Sequence, residues 1–495
     1  MRKSGVLLPI TAQMGEFGIG DMGQNSRFFL DFIKQMGFSV WQVLPVTAIG
    51  NGNSPYSGFS AFAGNPLLID LYSLDNLLSF EEIATAKIDS PYKVEYNKAK
   101  ENKTRLLRLA FSRCNEEYKK NINTFVAENS YWVVDYALYS AIKENTGKEW
   151  YEWEYSIKLR DKKAIDNIKN QFKESIQYYY FEQYVFFSQW LSLKKYANSI
   201  GVKILGDMPI YISYDSVDLW INNIDFLLDE NLKPTFKAGV PPDYFSKEGQ
   251  FWGNPLYDYK KMKNNGFKWL KSRIEHNLFL YDILRIDHFR GLYEYWAVPP
   301  NAASAKEGKW EKGPGLALWD NIGLESIKDR IVAEDLGIID DDVCQFRKKL
   351  GFPGMRVVQF GFDGDKHNLH LPHNFESNTY AYTSTHDNPP TLGWLYSLSA
   401  EDRSRVLDYF GFYDNDWGSG GRQARSTKQI SRVLFSSVAD NVIIPMQDLC
   451  SYGSDTRINV PGEPFGNWEF RCTLSSYEDI DVGFFMHMNN IYGRS

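Results

Sequence analysis

A series of short apolar runs spaced along the whole chain constrains the fold more than any other feature. They occupy residues 6–8, 39–45, 202–207, 280–287, 330–334, 355–360, 380–384 and 441–446. Runs this short, bounded by polar or glycine-rich sequence, read as buried strands. Helical or loop segments lie between them. Phe28, Phe29, Phe32, Ile33 and Met36 recur at helical spacing ahead of Gly37, a natural C-terminal stop, and a long amphipathic stretch from about 171 to 198 runs into Gly201. Eight parallel strands with intervening helices predict an α/β chain folded as a (β/α)8 TIM barrel. A doubly wound sheet is the competing arrangement, but it would gather its ligand at one switch point instead of drawing polar residues from many strand ends.

The uneven spacing of the runs predicts the domain organisation. Residues 1–75 hold the first part of the barrel with an active-site loop, 76–200 a charged and mostly helical insertion on the catalytic face, and 201–495 the remainder of the barrel. Within that remainder, 237–258 is rich in Pro, Gly and aromatic residues and reads as a lid-like loop. Tyr244, Phe245, Phe251 and Trp252 would present their rings from it.

The candidate strands end in acids. Asp207 follows Gly206, Asp287 closes 280–287, Glu334 closes 330–334, and His386-Asp387 follows 380–384. In a barrel these ends converge on one mouth. Side chains alternate along a strand, so Arg285 and Asp287 share a face and the guanidinium would keep that carboxylate ionised and oriented. His288, by the same alternation, falls on the opposite face and reads as structural. Any one acid after a strand is ordinarily a helix cap or a loop residue. Gathered together, carboxylates shift one another's titration and divide into ionised and protonated forms, as glycoside chemistry requires. A metal is the other option: His367-x-x-His370-x-x-His373 has ligand-like spacing, but Leu369, Leu371 and Pro372 break any helical presentation and a solvated loop is the plainer account.

Composition limits the partners. A formal net charge of −7 argues against nucleic acid or an anionic membrane as the main partner. Aromatic residues reach 16%; core packing accounts for most of them by composition alone, while rings exposed in a cleft would suit the C–H faces of sugar rings. The four cysteines are scattered without a paired motif, and no run reaches the length of a signal peptide or membrane span, so a reducing, cytoplasmic setting is expected.

Longer phrases carry a resemblance. Ser54-Pro55-Tyr56, Gly206-Asp207-Met208-Pro209-Ile210, Trp252-Gly253-Asn254-Pro255-Leu256-Tyr257, Arg285-Ile286-Asp287-His288-Phe289-Arg290-Gly291, Ala333-Glu334-Asp335-Leu336-Gly337 and Thr385-His386-Asp387-Asn388 stand in order along the chain. Arg285-x-Asp287, Glu334 and His386-Asp387 follow the signatures of the α-amylase clan, and the whole set resembles the amylomaltase family of 4-α-glucanotransferases, the disproportionating enzymes. The resemblance implies retaining transfer of α-1,4-glucan segments between a maltooligosaccharide or glucan donor and a sugar acceptor, with α-glucan hydrolysis as the alternative outcome. It implies Asp287 as nucleophile, Glu334 as acid and base, and Asp387 as a grip on the sugar hydroxyls. Arg285, His386, Asp207, Tyr56, Ser54, Trp252, Asn254 and Asn459 would bind substrate. No metal or organic cofactor and no C-terminal β-sandwich are implied.

Overall fold

The computed structural model describes residues 2–242, 248–463 and 465–495. Eight parallel strands form one sheet: β1 (Lys3–Leu7), β2 (Val40–Gln42), β3 (Lys203–Met208), β4 (Ile283–Ile286), β5 (Ile331–Ala333), β6 (Gly354–Val357), β7 (Thr379–Tyr382) and β8 (Asn441–Pro445). Their order is β6-β7-β8-β1-β2-β3-β4-β5, so consecutive strands are neighbours and β8 returns to β1. Each of the eight apolar runs overlaps one of these strands. The seam between β5 and β6 carries a main-chain bond from Ala333 N–H to Pro353 O at 2.9 Å. Asp335 reinforces it, accepting from Met355 N–H at 2.7 Å and pairing with Arg356 at 3.2 Å and Arg347 at 3.1 Å. The result is the expected TIM barrel, nearly closed.

Strand alternation divides the core in two. Leu7, Val40, Leu205, Val332, Met355, Val357, Tyr380, Tyr382 and Ile443 pack together inside the barrel. Their strand neighbours Val6, Trp41, Ile204, Leu284, Ile286, Ile331, Ala381 and Val442 pack outward against the helices. The same alternation sends Asp207 and Arg285 inward, two residues along from Leu205 and between outward-facing Leu284 and Ile286.

Between β2 and β3 the chain builds the helices Tyr96–Ser112, Glu116–Glu128, Val133–Thr146 and Lys162–Gln171, all packed against the long helix Lys173–Ser199. That helix also docks on the barrel through Phe186 and Trp190, which are fully buried, Trp190 Nε1 donating to Leu280 O at 3.1 Å. Gln183 exchanges two amide bonds with the main chain of Gly64, at 2.7 and 3.0 Å, and Gln189 does the same with Asp70, at 2.8 and 3.0 Å. A side chain at Gly64 would drive into the Phe186 ring, with a Cβ 2.0 Å from it.

The excursion 237–258 departs from the expected loop. Lys237–Val240 and Gln250–Pro255 are antiparallel strands, joined by Glu294–Val298 and Lys309–Lys312 into a four-stranded side sheet. The edge of Glu294–Val298 supplies hydrogen-bond partners that local sequence does not announce. Tyr244 and Phe245 lie outside the described residues. No helix among the described residues is long and apolar enough to cross a membrane.

Candidate active site

The carboxyl ends of the barrel strands open into a cleft of about 1020 Å³. Its size suits an oligosaccharide better than a single sugar. Arg285, Asp287, Glu334, His386 and Asp387 all line it.

Arg285 is the electrostatic centre. Its Nη1 donates to both oxygens of Asp207, at 2.8 and 2.6 Å, and lies 3.1 Å from Asp287 Oδ1. Pairing two carboxylates with one buried guanidinium offsets part of the cost of holding them in a poorly solvated place. Tyr56 Oη donates to Asp207 at 2.8 Å and is in hydrogen-bond contact with His386 Nε2 at 2.9 Å, with the two rings stacked at 5.3 Å. Burial lowers the His386 pKa, so the ring is neutral near neutral pH. The same Nε2 lies 3.3 Å from Asp387 Oδ2. A continuous polar chain therefore runs from Asp387 through His386, Tyr56 and Asp207 to Arg285 and Asp287.

Glu334 stands one strand over from Asp287. Its carboxylate accepts backbone N–H bonds on both oxygens, from His288 at 2.6 Å and Leu336 at 2.8 Å. Burial pushes both acids upward. For Asp287 the rise is large, opposed by Arg285 and assisted by Asp207, Glu334 and Asp387; for Glu334 it is opposed by Arg285 and the two backbone donors. Two acids raised together behave as a pair sharing a proton.

Of the remaining residues implied by the resemblance, all but one line the cleft. Ser54, Tyr56, Trp252, Asn254 and Asn459 line the cleft. Ser54 Oγ accepts from Tyr56 N–H at 3.2 Å, Asn254 is held by Ile212 O at 2.9 Å, and Asn459 Nδ2 donates to Asp387 Oδ1 at 2.6 Å. Asp207 is the exception. Its side chain is fully buried beneath Arg285 and does not reach the cleft wall, because it sits inside the barrel, one layer below the rim.

Sequence reasoning missed several residues. His288 does not continue the strand: it is left-handed (φ 49°, ψ 52°), which returns its ring to the cleft, edge-on to Trp252 at 4.8 Å. The structural reading of His288 on the far face is thereby corrected. Tyr211 and Phe360 also line the cleft, and Arg457 donates to the Asp387 carbonyl. Only the aromatic excess hinted at the first two. The histidines at 367, 370 and 373 do not converge: His370 Nδ1 accepts from Val357 N–H at 3.1 Å, while His373 bonds Tyr409 Oη at 2.8 Å. Among the described residues no group of three or more His, Cys, Asp and Glu side chains is arranged to hold a metal ion.

Comparison with known proteins agrees with this geometry. The family model described as 4-alpha-glucanotransferase matches residues 8–475. A 4-alpha-glucanotransferase of Aquifex aeolicus is 43% identical over 100% of both chains, and one of Clostridium butyricum is 40% identical over 98% of this chain and 99% of its own. The amylomaltase from Streptococcus agalactiae, solved in complex with acarbose, superposes with a TM-score of 0.95 at 36% identity, covering 100% of each chain. Matched over its length in sequence and fold, this chain belongs to the 4-alpha-glucanotransferase family.

Proposed function

We propose that this protein transfers α-1,4-glucan segments between maltooligosaccharides by retaining double displacement. Asp287, ionised beside Arg285, attacks the anomeric carbon while protonated Glu334 delivers its proton to the leaving glycosidic oxygen. Glu334, now a carboxylate, takes the proton of an incoming sugar hydroxyl, which opens the glucosyl ester with a second inversion. The reaction needs Asp287 as the ionised member of the pair and Glu334 as the proton's holder, and the Arg285 guanidinium, 3.1 Å from Asp287 Oδ1, works against the rise that burial imposes on Asp287. Asp387, oriented by Asn459 and His386, grips the hydroxyls beside the reacting carbon. Ser54, Tyr56, Trp252 and Asn254 contact the glucan, and Asp207 acts from beneath by fixing Arg285.

The observation that carries this reading is the convergence of Asp287, Glu334 and Asp387 on one cleft large enough for several glucose units. Hydrolysis uses the same residues, and the division depends on whether water or sugar reaches the ester first. Phe251 and Trp252, 41% and 38% exposed on the strand Gln250–Pro255, support the segment 237–258 as a cover that excludes water. We further read 1–75 and 201–495 as barrel and 76–200 as insertion, and place the protein in cytoplasmic maltodextrin, glycogen or starch metabolism. Incubated with maltotriose alone, the protein should release glucose and a ladder of longer maltooligosaccharides, read by chromatography. Glucose and maltose without a ladder would replace transferase with hydrolase.

A further inference from the structure

The nucleophile and the acid lie on neighbouring strands, and their spacing decides whether a retaining reaction is possible, since the two carboxyls must stand about 5–5.5 Å apart. Backbone bonds tie the two strand ends together around Asp287. Glu334 N–H donates to Ile286 O at 3.1 Å, and Phe289 N–H donates to Glu334 O at 3.1 Å. Between them, His288 N–H donates to the Glu334 carboxylate at 2.6 Å. Residues before and after the nucleophile are thus all bonded to the acid residue.

In a strand, successive N–H groups point to opposite sides. Here the N–H groups of residues 288 and 289 both reach Glu334, one to its side chain and one to its carbonyl. The left-handed turn at His288 makes this possible by folding the second N–H back beside the first, a local nest of donors. Further ties hold the turn: Gly291 N–H donates to His288 O at 2.9 Å, and a Cβ on Gly291 would lie 3.2 Å from the His288 ring and 2.7 Å from Ile210. Residues with a Cβ disfavour this backbone conformation, so its presence at a non-glycine position next to the nucleophile calls for an account.

We infer that His288 is a positioning residue whose left-handed backbone folds the Phe289 N–H onto the Glu334 carbonyl beside its own N–H on the Glu334 carboxylate, and so sets the proton donor against Asp287. The inference rests on the assignment of Asp287 and Glu334 above. It concerns the backbone of residue 288 and is separate from any contact its imidazole makes with sugar.

The test is a series at one position: His288→Gly, His288→Asn, His288→Ala and His288→Val. All four lose the imidazole and differ in tolerance of the left-handed region, which Gly and Asn enter readily, Ala less so and Val least. The kcat for maltotriose disproportionation is measured across pH, with melting temperature as a check on folding. Asn and Gly should exceed Ala, and Val should fall about tenfold or more below Asn. In Ala and Val the alkaline limb of kcat should also move to higher pH, because Glu334 loses a donor that favours its ionised form; in Gly and Asn it should not move. If Val fails to fold, Ala against Gly carries the comparison. Equal kcat and the same alkaline limb throughout the series would overturn the inference. Glu334→Gln separates the two levels: an active Glu334→Gln overturns the acid assignment, whereas an inactive one beside an undifferentiated series overturns the role of His288 alone.

Discussion

Arg285 holds two carboxylates unequally, and the inequality explains which of them can do chemistry. Asp207 takes both bonds from Nη1 and a third from Tyr56, with no exposed surface, so its oxygens are occupied by the protein. Asp287 meets the guanidinium through one oxygen at 3.1 Å and keeps a side chain 29% exposed toward the cleft. One acid is committed to orienting the arginine; the other is left free to attack. Asp287→Asn should lower kcat by at least ~10³-fold while glucan binding, followed by ligand-induced melting shifts, persists. An unimpaired rate would remove Asp287 from the nucleophile's role. At this scale the sequence was informative where strand alternation applied, as for Arg285 and Asp287. Alternation does not encode depth, so Asp207 was read as a cleft residue when it lies a layer below. Nor does it encode a left-handed backbone, which is why His288 was put on the wrong side.

Among the elements, the long helix Lys173–Ser199 carries two structures at once. One flank receives the insertion helices, and the other clamps the loop leading from Tyr56 to Asp70 through Gln183 and Gln189. Glu182 is buried in the same helix, with Tyr178 Oη as a donor at 3.0 Å, and burial pushes its pKa up to about 7. A carboxyl raised in the folded state binds a proton that the unfolded chain does not. Its burden on stability is therefore absent below about pH 4.5, grows as pH rises, and is complete above about 7, on the order of 3 kcal/mol. Glu182→Gln should accordingly melt higher than the parent at pH 8, with the gap closing toward pH 5; a gap independent of pH would refute the assignment. The eight barrel strands were legible because a strand buried on both faces is largely apolar, with few polar residues to break the run. The side sheet was not, because its strands mix Gly and Pro with aromatics and find their partners some sixty residues away, at Glu294–Val298.

On the scale of the whole molecule, the barrel depends on its seam. Where β5 meets β6, Asp335 gathers Met355 N–H, Arg347 and Arg356 directly behind Glu334. Gly354 makes room for it: a Cβ there would lie 2.5 Å from Asp335 Oδ2. Because that carboxylate is pinned on several sides it cannot yield cheaply, and Gly354→Ala should cost about 1–3 kcal/mol, measured by denaturant unfolding. A neutral substitution would show that the seam is looser than its bonds suggest. The closure also orders events in time. β1 pairs with β2 on one edge and with β8 on the other, so Lys3–Leu7 is bonded to Asn441–Pro445. During synthesis the first strand leaves the ribosome hundreds of residues ahead of its second neighbour. Until that neighbour arrives, one edge of the growing sheet stands open to pairing with other chains.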